Sequence, residues 1–270
     1  NDNAQGEYYL TDCIGLAAVD GVEVEAMCCS DPEETLGAND MRQLADLERA
    51  LQRRRRNELM DGGVRMPEPD AVHIRGRVTA GRDVVIEPGT VLEGDVRLGD
   101  GVIVGVGCVV RDARLAAGTR LQPYCVLEGA ETTGACSVGP FARLRPGTLL
   151  AAGVCIGNFV ETKNARFAEK AKANHLTYVG DAEIGARANL GAGTITCNYD
   201  GANKHRTTIG EDAFIGSNSA LVAPVSIGDR ATVGAGSVIV DEAPADALTV
   251  ARARPRTILE WEQPVKREPD

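Results

Sequence analysis

Apolar residues recur at every sixth position along two long stretches of the chain. A period of six fits neither an α-helix, with 3.6 residues per turn, nor a long alternating strand. It is typical of a solenoid of very short strands that turns a corner at each hexad, with three hexads in each triangular coil. The pattern predicts a mainly β fold, a parallel β-helix of hexapeptide repeats over residues 72–240. The residues that carry it are Ile86, Leu92, Leu98, Val104, Val110, Ile209, Ile215, Leu221, Ile227, Val233 and Ile239.

The hexad pattern is interrupted in the middle of the chain. Its register slips between Val110 and Leu115, and it slips again at residues 162–167. The largest interruption is the insertion CNYDGANKHRTT at residues 197–208, which is rich in Asn, Asp and Gly. This composition favours an exposed loop, and exposed loops often carry function. The polar stretch 175–210 is therefore the first candidate for a functional site.

The segments outside the hexads have other patterns. Residues 1–38 combine a helix-like stretch, TDCIGLAAVDG, with a strand-like one, VEVEAMCC, and are too short to form a domain alone. Residues 39–71 carry leucines at helical spacing, which predicts a linker helix with Asn39 as N-cap and an end at Gly62. Residues 241–270 leave the repeat and are predicted to cover the end of the solenoid.

Composition narrows the function class. Aromatic residues make up only 4% of the 270 residues, whereas there are 31 glycines, as expected for a narrow core with tight corners. The net charge is −10 and the isoelectric point about 4.9, which argues against a broad nucleic-acid or anionic-membrane surface. No segment approaches the roughly 20 apolar residues of a membrane span.

The eight cysteines include no CxxC pair. Cys108 lies next to the apolar lattice, and Cys155 directly precedes an apolar hexad position. Small buried thiols are therefore expected rather than disulfides. This usage predicts a protein of the reducing cytoplasm.

His175 is the strongest candidate for chemistry. Histidine titrates near neutral pH, so its imidazole can take a proton from an attacking amine or hydroxyl group. Five residues near in sequence offer partners that could fix its tautomer: Asn174, Thr177, Tyr178, Asp181 and Glu183. A histidine at an exposed corner with no chemical role is the alternative.

Arg143, Arg145, Lys163 and Lys172 form a group of cations suited to phosphate oxygens. Lys163 follows Arg145 by three full hexads, which is one complete coil. The two side chains are therefore predicted to project from neighbouring coils at the same corner, as in a phosphate site. A ladder of exposed cations paired with Glu161 is the alternative.

A zinc site is the weaker hypothesis. Some hexapeptide solenoids bind zinc through three histidines. His73, His175 and His205 are far apart along this chain, and no two of them have ligand spacing on one coil.

Long motifs in the second half resemble one family. They are RPGTLLAAGVCIGNFVETKNA, HLTYVGDAEIGARANLGAGTITCNYDGANKHRTTIG and FIGSNSALVAPVSIGDRATVGAGSVI, joined by NAQGEYYLTD near the start. The chain resembles the GlmU family, bacterial enzymes that join an N-acetylglucosamine-1-phosphate uridyltransferase domain to a glucosamine-1-phosphate N-acetyltransferase domain. The resemblance implies a left-handed β-helix, acetyl-CoA as co-substrate, a place in UDP-N-acetylglucosamine biosynthesis, and a cytoplasmic homotrimer with active sites between subunits.

The resemblance also implies roles for individual residues. His175 matches the general base, and Arg145 and Lys163 match the positions that hold the sugar phosphate. Tyr178, Asn189 and Glu161 match further acceptor positions. The positions that match acetyl-CoA contacts are Ala192, Asn198, Tyr199, Ser217, Ala235 and Arg252, with Lys204 as an additional contact.

The front of the chain departs from the family pattern. The glycine-rich nucleotide loop and the first magnesium-binding aspartate have no counterpart in the sequence, and only Asn39 matches a magnesium-ligand position. A lone asparagine cannot hold Mg²⁺ and UTP. Residues 1–38 are thus interpreted as a remnant of the uridyltransferase domain, either in a fragment of a longer protein or in a truncated gene product. Uridyl transfer, and with it a need for Mg²⁺, is expected to be absent.

Two alternatives to glucosamine-1-phosphate acetylation stay open. One is a different CoA-dependent acyltransferase on the same solenoid, such as a serine or sugar-nucleotide acetylase; the CNYDGANK motif and the pair Arg145 and Lys163 argue against it. The other is a solenoid that assembles copies without catalysis. The chain has His175 and a residue at each of the substrate-binding positions matched above, which argues against that second alternative.

Overall fold

The chain divides into two compact units, Asn1–Leu51 and Gln52–Asp270. The computed structural model describes residue 4 and residues 6–264, so the outermost ends of the predicted segments 1–38 and 241–270 lie outside the described residues. The helices are α1 (Asp12–Val19), a 3₁₀ helix at Pro32–Thr35, α2 (Met41–Asp61) and a 3₁₀ helix at Pro69–Ala71. In the described part of the chain, no helix is long and apolar enough to cross a bilayer.

The first unit has less regular structure than its sequence predicts. The helix-like stretch forms α1, as expected, and none of its residues is buried. The strand-like stretch at 22–29 forms no strand, so that prediction is wrong. An extended segment needs a neighbouring strand to satisfy its backbone, and alternating Val and Glu residues do not provide one.

Helix α2 is capped by Asp40 rather than by Asn39, so the predicted cap is one position too early. Asp40 Oδ1 accepts hydrogen bonds from the backbone N–H groups of Arg42 and Gln43, both at 2.8 Å. The Gln43 side chain in turn accepts a hydrogen bond from the backbone N–H of Asn39 at 2.7 Å. This reciprocal arrangement resembles a capping box, and it satisfies donors that a helix start leaves open.

The second half of α2 closes the start of the solenoid. The Gln52 amide group donates to the Ile74 carbonyl at 2.8 Å and accepts from the Ile74 N–H at 2.7 Å. The buried Arg56 guanidinium donates to Asp70 at 2.6 Å. The two Gln52 bonds satisfy edge groups of the first strand, which would otherwise be open to pairing with other chains.

The strands all lie in the second unit and pair in parallel with the equivalent strands of neighbouring coils. By hydrogen bonding they form one sheet of fifteen strands and another of ten among the described residues. The strands are β1 (His73–Ala80), β2 (Val85–Ile86), β3 (Val91–Leu98), β4 (Ile103–Val104), β5 (Val109–Arg111), β6 (Arg114–Leu115), β7 (Arg120–Leu121), β8 (Val126–Glu128), β9 (Glu131–Thr132), β10 (Ser137–Val138), β11 (Arg143–Leu144), β12 (Leu149–Leu150), β13 (Cys155–Asn158), β14 (Glu161–Phe167), β15 (Lys172–His175), β16 (Tyr178–Ile184), β17 (Asn189–Leu190), β18 (Ile195–Cys197), β19 (Thr207–Ile209), β20 (Phe214–Ile215), β21 (Ala220–Val222), β22 (Val225–Ile227), β23 (Thr232–Val233), β24 (Val238–Ile239) and β25 (Leu248–Thr249).

The apolar hexad residues face inward and form the core. Ile86, Leu92, Val104, Ile215 and Leu221 are all fully buried. Burial of a side chain of this size contributes about 1.5–3 kcal/mol, so the repeat itself is the main source of stability. The predicted parallel β-solenoid of hexapeptide repeats is confirmed, while the left hand of its coil stays a prediction.

Coil length varies, and it varies where the hexad pattern is interrupted. Strand β1 pairs with β3 across a full coil of three hexads, since His73 lies opposite Val91. The coils that join β3 to β6 and β14 to β16 are shorter by one position, and they coincide with the two predicted slips. The coil that joins β16 to β19 is longer than three hexads by seven positions, because Ala182 lies opposite Thr207.

The repeat continues beyond its predicted end at residue 240. Ala243 forms a parallel bridge with Ile227, and β25 pairs with β23. The tail therefore covers the edge of the last coil by adding to it, rather than by leaving the lattice. Thr232 lies opposite Leu248, a spacing short of three hexads, which explains why the pattern missed this strand.

Cysteine burial differs between the two positions singled out from the sequence. Cys108 is buried, as predicted, and all eight cysteines are free thiols. Cys155 is only half-buried, because it occupies the outward-facing first position of β13 while Ile156 faces the core. The prediction of a buried thiol is therefore wrong for Cys155.

Candidate active site

His175 lies at the end of a short strand beside a partner that its sequence neighbourhood did not indicate. It is the last residue of β15, and Asn158 is the last residue of β13, one coil earlier and in register with it. The exposed His175 ring contacts Asn158 through Nδ1 and Oδ1 at 2.7 Å. Their sequence separation is 17, so a search at the regular spacing of three hexads misses Asn158.

Two of the residues expected to fix the His175 ring, Thr177 and Asp181, have other partners. The Thr177 hydroxyl donates to the backbone carbonyl of His175 at 2.7 Å, and so it holds the main chain rather than the ring. Asp181 binds two asparagine amides, described below. Between His175 and Thr177 the chain turns a corner at Leu176, whose φ of 49° lies in the left-handed region. This tight corner leaves the imidazole at the outer edge of the coil.

One corner of the solenoid stacks His175 with most of the positions matched to acetyl-CoA contacts. Strand β15 pairs with β17, and continuing that register puts Ala192 opposite His175 in the next coil. The amide that follows Ser217 donates to the Ala192 carbonyl, and the amide that follows Ala235 donates to the Ser217 carbonyl, both at 2.8 Å. The Arg252 guanidinium donates to the Ala235 carbonyl. These residues form a strip of small side chains that runs away from His175.

Three cations converge on an adjacent face. Continuing the register of β11 with β14 puts Arg145 opposite Lys163, as their spacing predicts. Lys204, from the inserted loop, is the third cation, and its amine beside Lys163 is the main reason why the pKa of Lys163 lies below its ordinary value; burial adds to this and Asp181 opposes it. Arg145 donates to Glu161 at 3.0 Å. A cluster of this charge suits an anionic ligand.

Asp181 links this cation cluster to the inserted loop. Its carboxylate accepts hydrogen bonds from the amide group of Asn164, at 2.6 Å, and from that of Asn198. Burial opposes ionisation of Asp181, but the two amides and the charges of Lys163 and Lys204 outweigh it and hold the pKa of Asp181 below its ordinary value. Sequence analysis named Asp181 only as a neighbour of His175 and missed this role as an anchor.

The inserted loop is ordered by its own polar residues. Tyr199 and Lys204 form an antiparallel bridge across it. The Asp200 carboxylate accepts hydrogen bonds from the backbone N–H groups of Ala202 and Asn203, at 2.8 and 2.6 Å, and contacts His205 Nε2 at 2.6 Å. These bonds hold the pKa of Asp200 well below its usual range. The loop is extruded as predicted, and it presents the exposed Tyr199 ring and the Lys204 amine.

The remaining predicted acceptor residues separate into two groups. Glu161 and Tyr178 are neighbours, since β14 pairs with β16 in register at these positions, on the same face as Lys163. Asn189 belongs to β17 in the ten-stranded sheet, beside Lys172. The structure therefore brings Glu161 and Tyr178 to the cation cluster and leaves Asn189 on another face of this chain.

Metal ligation has little support among the described residues, where no group of three or more His, Cys, Asp or Glu side chains could hold an ion. His205 contacts Asp200, and His73 begins the first strand. Asn39 belongs to the other unit, and the neighbouring Asp40 carboxylate caps α2. Mg²⁺ takes an octahedral set of oxygens, which this one asparagine does not fit.

Fold and site together define a class of protein: a parallel β-solenoid of hexapeptide repeats with a polar site where its coils are interrupted. Residues 206–240 match the family described as the hexapeptide repeat of succinyl-transferase. The bifunctional protein GlmU of Stenotrophomonas maltophilia is 57% identical over 267 residues, which is 99% of this chain and 59% of that protein. GlmU of Aromatoleum aromaticum is 54% identical over 268 residues, with the same two coverages.

The chain is similar to these relatives over nearly all of its own length, and it spans about 59% of theirs. Among solved structures, the UDP-N-acetylglucosamine acyltransferase of Francisella novicida aligns with a TM-score of 0.47 at 14% identity, covering 69% of this chain and 67% of that one. The acyltransferase of the same name from Campylobacter jejuni aligns with a TM-score of 0.45 at 18% identity, covering 58% of this chain and 67% of that one.

Proposed function

We propose that this chain transfers the acetyl group of acetyl-CoA to the amine of glucosamine-1-phosphate, as a cytoplasmic enzyme of UDP-N-acetylglucosamine biosynthesis. The observation that carries the proposal is the arrangement of His175 at a corner of the coil with Arg145, Lys163 and Lys204 on the adjacent face. A proton acceptor and an anion site on neighbouring coils are what an amino-sugar phosphate requires. The choice of this sugar and of this acyl donor follows what the resemblance to the GlmU family implies.

In the proposed reaction, His175 acts as general base. The amine attacks the thioester carbonyl carbon while the imidazole takes a proton from the nitrogen, so a C–N bond forms and the C–S bond breaks. The imidazolium then returns its proton to the departing CoA thiolate. Fixed side chains that bind both substrates also align the amine with the thioester. This alignment can increase the rate more than the proton transfer itself does.

The cation cluster would hold the sugar phosphate. Arg145 and Lys163 lie in register on neighbouring coils, and Lys204 approaches from the loop. Glu161 and Tyr178 lie on the same face, where polar groups of the sugar ring would contact them. Asn189, on the other face of this chain, completes acceptor binding in this proposal only if a second copy supplies it.

The strip of small residues would hold acetyl-CoA. Ala192, Ser217 and Ala235 leave space along the corner, and Arg252 adds a positive charge at its far end. The inserted loop adds Asn198, Tyr199 and Lys204 at the end nearest the cation cluster. A long, anionic acyl carrier suits such an extended groove better than a closed pocket.

The proposed function is tested by release of free CoA thiol from acetyl-CoA. We expect turnover with glucosamine-1-phosphate and none with glucosamine-6-phosphate or serine. Turnover with serine alone would contradict the proposed substrate, and no turnover with any acceptor would favour a solenoid without catalytic activity. We also propose that the chain alone does not transfer uridyl groups, so UTP, Mg²⁺ and N-acetylglucosamine-1-phosphate should yield no pyrophosphate.

We further propose a homotrimer whose contact surface includes an exposed aromatic ladder, Tyr124, Phe141 and Phe159. Adjacent rings stack with centroids 5.2 and 5.5 Å apart, and each ring is about half exposed. The ladder continues one coil further to Leu176, next to His175. Exposed aromatic surface of this kind is typical of contacts between proteins, and a second copy there would border the site.

Phe141→Asp is expected to convert the trimer to monomers, because it puts a charge in the middle of the ladder. Asp tolerates the left-handed backbone of Phe141 (φ 55°), so the fold should be retained. Sedimentation velocity measures the change. Leu248→Asp is the control, since Leu248 is exposed but lies in β25 in the last coil, away from both the ladder and Asn189. If the F141D protein sediments as a trimer, the ladder is not the contact surface.

A further inference from the structure

Among the described residues, Asn158 is the one side chain that hydrogen-bonds with the His175 ring. Asn158 Oδ1 and His175 Nδ1 are 2.7 Å apart, a normal hydrogen-bond distance. A second bond fixes the backbone here, because the amide that follows His175 donates to the Asn158 carbonyl at 3.0 Å. Pairing of β13 with β15 thus aligns both the main chains and the side chains of these two residues.

The chemistry of the pair decides which ring nitrogen is free. A neutral imidazole has one N–H donor and one acceptor nitrogen. An amide oxygen can only accept, so its contact with Nδ1 requires the proton on Nδ1 and leaves the lone pair on Nε2. When the ring takes a second proton, Nδ1–H still donates to the same oxygen, and the bond becomes charge-assisted and stronger. The contact therefore stabilises both protonation states of a base that works through Nε2.

We infer that Asn158 is a positioning residue that holds the His175 proton on Nδ1 and so makes Nε2 the atom that accepts the amine proton. This inference rests on the proposed function, because it assigns a task to the base of that reaction. The amide carries no charge, so it orients the imidazole without the added attraction for a proton that a carboxylate partner would supply. Asn158 does not need to touch either substrate.

The tautomer can be read directly, without an assay. The chain has three histidines, so selective ¹⁵N labelling gives three imidazole spin systems, and His175→Ala identifies the one of interest. We expect the Nδ1–H tautomer for the neutral His175 ring. His205 is an internal reference, because its contact with the Asp200 carboxylate runs through Nε2 and requires the opposite tautomer. An Nε2–H tautomer at His175 would overturn the inference.

Two substitutions test the consequence for the reaction. Asn158→Ala should lower kcat about 10-fold and leave both KM values within about twofold, because a misoriented base weakens proton transfer but not binding. Asn158→Asp keeps the acceptor and adds a charge that favours imidazolium, so the acidic limb of the kcat–pH profile should move up by about one pH unit. Melting temperature and sedimentation show whether the variants fold and assemble as the parent does.

The outcomes separate this inference from the proposed function. If the parent chain acetylates glucosamine-1-phosphate and His175→Ala is inactive, but both Asn158 variants keep the parent kcat and pH profile, the role of Asn158 is wrong and the function stands. If the parent has no activity, the function fails, while the tautomer spectrum still decides whether Asn158 orients the ring. An Asn158→Asp variant whose kcat is lowered but whose kcat–pH profile matches that of the parent would indicate a merely structural role. That result would also overturn the inference.

Discussion

Replacing His175 with alanine is expected to lower the turnover of glucosamine-1-phosphate acetylation by about 10²–10⁴-fold, the usual contribution of a positioned general base. The reason is that the substrate amine must lose a proton as it attacks the thioester, and His175 is the group proposed to accept that proton. Of the other two histidines, His205 contacts Asp200 in the loop and His73 begins the first strand, so neither is placed to replace this ring. Both KM values should change much less than kcat, because the ring is assigned to the bond-forming step.

The measurement is CoA thiol release under saturating concentrations of both substrates. His73→Ala is a suitable control, since it removes an exposed histidine at the first strand of the solenoid. It should keep the parent turnover. A His175→Ala protein with parent turnover and a parent melting temperature would remove this residue from the role of base.

Replacing Lys163 with alanine is expected to raise the KM for glucosamine-1-phosphate about 10- to 100-fold. Hydrogen bonds to charged groups contribute roughly 1.5–3 kcal/mol, and about 1.4 kcal/mol corresponds to a factor of ten. The ammonium would bind the phosphate in the ground state and in the transition state alike, so kcat should change less than KM. The KM for acetyl-CoA measures how far the effect spreads through Asp181 to the inserted loop.

The contrast with two further variants makes this test specific. Lys170→Ala removes an equal charge from an exposed residue outside the cluster and should leave both KM values unchanged. Lys163→Arg keeps the charge and should recover part of the lost affinity. An unaltered KM for the sugar phosphate in Lys163→Ala would show that the cluster does not bind phosphate.

Much of the fold was predictable because its cause is local and repetitive. A buried apolar residue at every sixth position is sufficient to define the coil, and the two slips mark coils that fall one position short of three hexads. The coils from β7 to β10 and from β15 to β17 are equally short but contain neither slip. The opposition of Arg145 and Lys163 followed from the same arithmetic, since the coil that joins them contains three complete hexads. In a solenoid with regular coils, contacts between neighbouring coils can be predicted from the sequence separation of the residues.

The errors and omissions arose where counting fails. Asn158 and His175 have a sequence separation of 17 because the slip at residues 162–167 lies between them, so the regular spacing of three hexads does not pair them. Strand β25 follows an irregular segment, and its residues do not lie at the positions that the six-residue period predicts. The strand predicted at 22–29 has the right alternation but no partner, and propensity alone does not supply one. Each case depends on which backbone lies alongside, a property that a single sequence pattern does not contain.

The enlarged coil between β16 and β19 has a consequence beyond this one site. The core pairs continue on both sides of the insertion, with β16 in register with β19 and β18 in register with β21. Contacts in a solenoid extend only to neighbouring coils, so an excursion at one corner leaves the strand pairing on both sides of it intact. Evolution can therefore lengthen, shorten or rewrite this loop at small cost to folding. A family built on such coils can exchange its acyl carriers and acceptors while inheriting the same framework unchanged.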